Sequence, residues 1–215
     1  MPKSPRNNQE RPIMKIKYIA LALNLVIGIL SQALAVPSKV IIIRHAEKGP
    51  KDTCLTLQGL ERASALPYYF SSTPLYNTPP ISHVFAAYDK SYIRAKQTCA
   101  PIAEHLKSSL NINYKPEEAQ EVANEILTNP KYDNGNVLLC WSHRYISPLV
   151  RALGGHDPVK WSENIFDQVY MLTYEGKEKP IFQQFLQKLM FGDRATFEDK
   201  PHPLPPIPVK CPDKR

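Results

Sequence analysis

Four basic residues of this sequence could together bind and attack a phosphoryl group: Arg44, His45, Arg94 and His143. The planar guanidinium group of arginine matches the oxygen atoms of a phosphate, and an unprotonated histidine nitrogen can attack phosphorus. Nearby arginines favour the neutral histidine, because a second positive charge is disfavoured beside them. The combination predicts chemistry on a phosphate group, provided that the fold brings the four side chains together.

The spacing of apolar residues predicts the strands and helices that must bring these four side chains together. Apolar runs predict strands at 40–44, 83–87, 112–114, 137–141 and 168–173. Apolar residues at helical spacing predict helices at 57–70, 91–106, 117–127, 146–153 and 180–191. Strands that alternate with helices are typical of an α/β fold, here a three-layer α/β/α sandwich with a mostly parallel central sheet.

The four basic residues fall at the ends or beginnings of these elements. Arg44 and His45 end the first predicted strand, and His143 follows the fourth. Arg94 lies near the start of the helix that follows the second strand. Because sites of open parallel sheets form at the carboxyl ends of the strands, we expect all four side chains at one edge of the sheet.

The first 35 residues have the pattern of an export signal. Residues 18–30 are almost entirely apolar, Lys15 and Lys17 precede them, and Ala33 and Ala35 follow as an A-x-A cleavage pattern. A basic segment, a short apolar segment and small residues at the cut define a secretory signal peptide. The apolar segment is also shorter than the roughly 20 residues that span a bilayer. We therefore expect cleavage, with an uncleaved anchor as the alternative.

The chain is accordingly predicted to have three parts. An N-terminal extension and signal peptide cover 1–35, a single catalytic domain covers 36–195, and a proline-rich tail covers 196–215. Either Met1 or Met14 could be the start of translation. The mature protein is expected in the periplasm or secreted, without a stable membrane span.

Composition and charge limit the classes of partner. Hydrophobic residues make up 43% of the 215 residues and charged residues 22%, which excludes a disordered, collagen-like or multi-span membrane protein. The net charge of +7 is concentrated in the leader, and the rest of the chain carries only +3. We therefore expect no nucleic-acid partner. The four basic residues, rather than the composition, are the reason to expect a small-molecule or glycan phosphomonoester as the ligand. The sequence does not indicate an oligomeric state.

Four cysteines lie in the predicted mature protein: Cys54, Cys99, Cys140 and Cys211. In an oxidising compartment they allow three pairings, and the sequence does not choose among them. Cys140 lies in an apolar run and could be a buried thiol. Their spacing is not that of a zinc site.

Four segments, in this order, resemble the motifs of the histidine phosphatase superfamily, also called the phosphoglycerate mutase-like or histidine acid phosphatase clan. They are VIIIRHAEKGP at 40–50, LTLQGLERASAL at 55–66, YIRAKQTCAPIAEHL at 92–106 and VLLCWSHRYISPLVRALGG at 137–155. The resemblance spans about residues 40–155 and implies the phosphoglycerate mutase-like form of the α/β sandwich.

The resemblance implies a role for each matching residue. His45 is expected to be the nucleophile that accepts the phosphoryl group and becomes a phosphohistidine, which water then hydrolyses. Arg44 and Arg94 are expected to hold the phosphate, and His143 to contact one of its oxygens. No metal and no other cofactor is implied.

The acid that protonates the leaving oxygen is left open. The family often supplies a carboxyl group about 20–30 residues after the second arginine, where Glu117, Glu118 and Glu121 lie. An ordinary acidic first turn of a helix would explain the same three residues. Glu47, beside the nucleophile, is the remaining candidate.

Two positions depart from the family pattern. Ser142 occupies the place of a usual glycine, and Arg144 follows the second histidine where the phytase-type branch has an aspartate. The sequence favours an exported phosphatase that hydrolyses a phosphomonoester, such as a sugar phosphate or a lipopolysaccharide-linked phosphate. The alternatives are a non-catalytic protein that binds phosphorylated ligands on the same fold and, if residues 1–35 are not a signal, a phosphohistidine phosphatase.

Overall fold

The computed structural model describes residues 36–49, 54–72, 80–156, 158, 160–176, 179–202 and 204–211. The predicted signal peptide, its cleavage pattern and both candidate start residues lie outside the described residues. Within the described ranges, no helix is both long and apolar enough to cross a bilayer.

Six strands form one mixed sheet in the order β3-β2-β4-β1-β5-β6. The strands are β1 (Lys39–Arg44), β2 (Ile81–Ala86), β3 (Leu110–Asn111), β4 (Asn136–Trp141), β5 (Gln168–Thr173) and β6 (Ile181–Leu186). The first four run parallel, whereas β5 and β6 are antiparallel to their neighbours. The predicted α/β class with its mostly parallel sheet is confirmed.

Four helices cover the two faces of this sheet in pairs. They are α1 (Leu57–Ser72), α2 (Arg94–His105), α3 (Ala119–Thr128) and α4 (His143–Ala152). Helix α1 packs against α2, and α3 packs against α4. The connections from β1 through α1 to β2, and from β2 through α2 to β3, lead along the sheet toward β3. The connection from β3 through α3 to β4 leads in the opposite direction. Because such crossovers are right-handed, the two helix pairs lie on opposite faces and make three layers.

The central strands β1 and β4 are buried along almost their whole length. Residues 40–43 and 137–141 have no exposed surface, because helices cover both faces of the sheet at this point. Their continuous apolar runs are the sequence signal of that burial. The carboxyl ends of these strands therefore emerge from the most deeply buried part of the fold.

The predicted helix at 180–191 is wrong. Residues Ile181–Leu186 form β6, an edge strand that pairs with β5 through a turn containing Gly176 at φ +81°. The apolar residues of this segment have helical spacing, but pairing with the exposed edge of β5 and the contact of Phe182 with Tyr170 determine a strand. Local propensity is overridden here by a tertiary partner.

The other differences concern where elements begin. Helix α2 begins at Arg94 rather than at 91, since Asp89 and Tyr92 exchange two backbone hydrogen bonds in a tight turn. Helix α4 begins at His143 rather than at 146. The third strand lies at Leu110–Asn111 rather than at 112–114, and α3 begins at Ala119 rather than at 117.

A buried ion-pair network holds the loop after β1 against the rest of the domain. Arg62, on α1, donates to both carboxylate oxygens of Glu47, to Asp193 and to Gln187. Gly59 lies one turn earlier, where a Cβ would collide with the backbone carbonyl of Glu47. The glycine and arginine of the second motif therefore allow α1 to lie directly on the loop that carries His45.

The C-terminal tail lies along the start of α1 as an extended segment. Its residues 204–211 form no helix or strand, in agreement with their proline content. The Leu57 amide donates to the carbonyl oxygen of Ile207 at 3.0 Å, and the Gln58 side chain bonds to the backbone of Pro205 and Ile207. A disulfide joins Cys54 to Cys211 and fixes the end of this segment.

The Cys54–Cys211 disulfide belongs to one of the three pairings that the sequence left open, but the second bond of that pairing is not formed. The two remaining cysteines, Cys99 and Cys140, are free thiols, and both are buried. Cys140 is thus the buried thiol that its apolar strand predicted. Burial raises the pKa of this thiol well above its usual value, so it remains protonated.

Candidate active site

The ends of β1, β2 and β4 meet at one edge of the sheet. Arg44 pairs in register with Trp141, and the His45 amide donates to the Trp141 carbonyl oxygen at 3.2 Å. On the other side of β4, the Ala87 amide donates to the Cys140 carbonyl oxygen. The strand register therefore places the two histidine-bearing loops side by side.

His45 is held in one tautomer by its own loop. The ring is 1% exposed, and its Nδ1 lies 2.7 Å from the carbonyl oxygen of Ala46. A carbonyl oxygen only accepts hydrogen bonds, so Nδ1 carries the proton and Nε2 keeps its lone pair. The Ala46 amide donates to the Thr98 hydroxyl of α2 at 2.9 Å, which fixes the loop in turn.

The surroundings of His45 keep its imidazole neutral. Burial lowers the pKa of this ring well below its usual value, and the charges of Arg44 and Arg94 lower it further. The electrostatic effect predicted from the sequence is therefore present, although burial is the larger cause. A neutral ring with a bare Nε2 is the form that can attack phosphorus.

Arg44 is buried and oriented by backbone oxygens from a distant loop. Its Nη1 donates to the carbonyl oxygens of Ser162, Glu163 and Ile165 at 2.5–3.3 Å. Its guanidinium carbon lies 3.9 Å from the ring centre of Phe166, and burial lowers its pKa to about 10. Its Nε and Nη2 atoms have no hydrogen-bond partner among the described residues. The Nε and Nη2 donors, which share one edge of the guanidinium group, therefore remain available for an anion.

Arg94 reaches the same place from the first residue of α2. Its guanidinium carbon lies 4.7 Å from the ring centre of Tyr92, and that ring packs edge-on against His45 at 5.8 Å. The charge of Arg94 also lowers the pKa values of His45 and His143. Arg94 is thus close enough to both histidines to disfavour their protonation, and Tyr92 contacts both its guanidinium group and the His45 ring.

His143 is the first residue of α4 and half-buried. Burial lowers its pKa to about 4, with contributions from the charges of Arg44, Arg144, Lys48 and Arg94. Its Nδ1 is buried without a hydrogen-bond partner in the described parts of the chain. The neutral ring carries one N–H that can donate to a ligand, at a helix N-terminus that favours anions.

Ser142 can occupy the position at which the family has glycine, because the backbone dihedral angles at this position are open to any residue. Its φ of −85° and ψ of 133° are ordinary extended values. Lys90 and Ser91, which directly precede the third motif, are both exposed, and Ser91 donates to Asp89. The structure therefore brings together Arg44, His45, Arg94 and His143 and leaves Lys90 and Ser91 in a surface turn.

The carboxylates considered as proton donors are placed differently. Both oxygens of Glu47 accept hydrogen bonds from Arg62, which makes Glu47 part of the buried network. Glu118 accepts from the Lys115 amide at 2.6 Å, ahead of α3. Glu117 and Glu121 are exposed, and Glu117 follows Pro116, whose carbonyl oxygen accepts from the Trp141 indole at 2.8 Å.

Sequence reasoning missed two parts of the site. The loop at 162–166 orients Arg44 from 118 or more residues away, and it has no local motif that could have shown this. It also brings an unexpected carboxylate, Glu163, close enough to Arg44 and Lys48 to offset part of the fall in their pKa values that burial causes. Tyr92 was part of the third motif, and its position two residues before Arg94 was an available signal.

Comparisons with known proteins give matches in structure only. A scan against protein-family models finds no match for this chain, and neither does a search of curated proteins. One matching solved structure is the protein histidine phosphatase SixA complexed with tungstate, with 19% identity, TM-score 0.47, and coverage of 69% of this chain and 97% of that chain. Another is the mycobacterial glucosyl-3-phosphoglycerate phosphatase Rv2419c, with 12% identity, TM-score 0.46 and the same coverage. Both are similar to this chain in fold.

The low pKa of His143 predicts how stability depends on pH. In the unfolded chain the ring titrates near 6.5 and in the folded protein at about 4, so its contribution is present above pH 6.5 and is lost as the pH falls toward 4. We expect the free energy of unfolding, measured with urea, to fall less steeply over this window in His143→Gln than in the wild type. The exposed His105 is the control, and His105→Gln should keep the wild-type slope. Equal slopes for all three proteins would contradict the prediction.

Proposed function

We propose that the protein is a phosphatase that hydrolyses a phosphomonoester through a phosphohistidine on His45. The observation that carries the proposal is the pairing of two features at one edge of the sheet. Nε2 of His45 keeps its lone pair because Nδ1 is held by Ala46, and two buried N–H donors of Arg44 are available beside it. A nucleophile and an anion-binding group are thus preorganised together.

The two steps follow from this geometry. In the first, Nε2 attacks phosphorus, the bond from phosphorus to the ester oxygen breaks, and the leaving oxygen takes up a proton from the solvent, to which the attacking water of the second step returns one. In the second, water attacks phosphorus, the P–N bond breaks, and inorganic phosphate leaves with His45 neutral again. Arg44, Arg94 and the N–H of His143 stabilise the charge that spreads over the phosphoryl oxygens in both transition states.

A phosphohistidine phosphatase is the second candidate, and the placement of the carboxylates favours it. Glu47 is bound to Arg62, and Glu117, Glu121 and the unexpected Glu163 are exposed, so none of these four carboxylates is buried beside the phosphate site. Leaving groups that depart without strong acid assistance would suit such a site. Comparing kcat/KM for phosphohistidine and for an alkyl phosphate separates the two candidates.

We also propose that the protein is exported. The basic, apolar and A-x-A pattern of residues 1–35 supports this, as does the Cys54–Cys211 disulfide, since such bonds persist mainly in oxidising compartments. The test is the N-terminal sequence of the protein recovered from the extracytoplasmic fraction, which should begin near Val36. Recovery of the uncut chain from the cytoplasm would contradict export without affecting the proposed reaction.

The phosphohistidine can be trapped directly. Phenyl phosphate labelled with ³²P, mixed with the protein and quenched in alkali, should leave label on the protein, because phosphohistidine is stable in base and labile in acid. Peptide mapping should place the label on His45. Turnover that leaves no labelled protein, or label on a serine, would contradict the proposed mechanism.

A further inference from the structure

A groove of about 490 Å³ opens directly beside the phosphate site. The four residues proposed for phosphate chemistry do not line it, but Lys48, Glu163 and Phe166 do. Phe166 contacts both regions, since its ring lies under the Arg44 guanidinium group and 6.0 Å from the ring of His45. A phosphoryl group bound at Arg44 and His45 therefore has the groove as a neighbouring space for the rest of its ester.

One wall of this groove is the strap, which we define as residues 204–211. Leu204 and Pro206 line the groove, while hydrogen bonds from Leu57 and Gln58 hold the middle of the strap and the disulfide holds its end at Cys211. The wall is thus fixed to α1 at more than one point. These attachments indicate that the strap is a structural part of the domain.

The facing wall is equally fixed. Gly192, with φ +92°, lies so close to the tail that a Cβ would meet the His202 carbonyl oxygen at 2.5 Å. Asp193 joins this turn to Arg62 and accepts from the Leu189 and Met190 amides. The groove is therefore a preformed space of the size that encloses drug-sized ligands.

The lining shows which chemistry the groove accepts. Its apolar surface comes from Phe166, Met190, Leu204, prolines of the tail and Phe191, which is 87% exposed at the rim. Phe191 and Leu204 are both exposed and line the same groove, and exposed apolar groups that share a cleft in this way are typical of a binding surface. Glu61 and Glu163 are exposed in this lining, and Lys48, which also lines the groove, balances only one of these two charges. The exposed carboxylates would therefore repel an additional anion.

We infer that the groove binds the leaving group of the substrate, and that this leaving group is bulky, contains rings with an apolar face, and carries no negative charge of its own. The inference rests on the proposed phosphatase function and adds the class of its substrate. The phosphoryl group lies at Arg44 and His45, and the leaving group extends past Phe166 into the groove, between the strap and the turn that carries Gly192.

Two esters of similar phenols, phenyl phosphate and biphenyl-4-yl phosphate, test this inference. Their leaving groups differ in size but little in acidity, so the ratio of their kcat/KM values reports binding of the second ring. We expect the wild type to prefer the biphenyl ester by about tenfold, through a lower KM. A carboxylate on the distal ring should abolish the preference because of Glu61 and Glu163.

Variants of two exposed lining residues, with one matched control variant, test whether the groove causes this preference. Leu204→Asp and Phe191→Ala should bring the ratio close to one, whereas Ile181→Asp, at a similarly exposed apolar residue of β6 outside the groove, should keep it. A ratio near one in the wild type, or an unchanged ratio in both groove variants, would overturn this inference while hydrolysis of phenyl phosphate still supports the proposed function. Failure of the wild type to hydrolyse either ester would overturn both.

Discussion

His45→Ala should reduce kcat/KM for phenyl phosphate by about 10⁴-fold or more, since removing a covalent nucleophile has effects of this size. The variant loses Nε2, the atom whose lone pair the hydrogen bond to Ala46 preserves. Arg44, Arg94 and His143 still bind the phosphate, so inhibition by inorganic phosphate should change far less than turnover. The measurements are steady-state hydrolysis and phosphate inhibition of the purified variant.

His105→Ala is the control for this experiment. His105 lies at the exposed end of α2, away from the sheet edge that carries the site, and should keep wild-type kinetics. Circular dichroism and the urea midpoint of His45→Ala should show a folded protein. A folded His45→Ala that hydrolyses phenyl phosphate at the wild-type rate would exclude His45 as the nucleophile.

Replacing Arg62 by methionine should lower the free energy of unfolding by about 3–5 kcal/mol, the usual cost of removing one partner from a buried ion pair. Arg62 is 2% exposed, and its loss leaves the carboxylates of Glu47 and Asp193 without their guanidinium partner. Because Glu47 lies two residues after His45, we also expect weaker positioning of the catalytic loop. Urea unfolding measures the first effect and kcat for phenyl phosphate the second.

An exposed arginine provides the comparison for this variant. Arg151 lies on the outer face of α4, and Arg151→Met should change stability by less than about 1 kcal/mol, as is usual for surface charges. If Arg62→Met were as stable as Arg151→Met, the ion-pair network would not hold the loop that carries His45 against α1.

Much of the site could be predicted because its residues adjoin the strands that position them. The uninterrupted apolar runs of β1 and β4 fixed two strands, and the residues that follow them in sequence also follow them in space. The loop at 162–166 could not be predicted in this way, since its backbone oxygens reach Arg44 across more than a hundred residues of chain. The helix predicted at 180–191 was wrong for the same reason, because the pairing with β5 makes this segment a strand.

The disulfide has a consequence for resistance to proteolysis that does not involve catalysis. Cys54 and Cys211 are 157 positions apart, so almost the whole domain lies within one covalent ring. A protease that cuts any surface turn between them opens the ring but releases no fragment. Such a nicked molecule would migrate as two bands only after treatment with a thiol, and its halves would stay together to recover their native pairing.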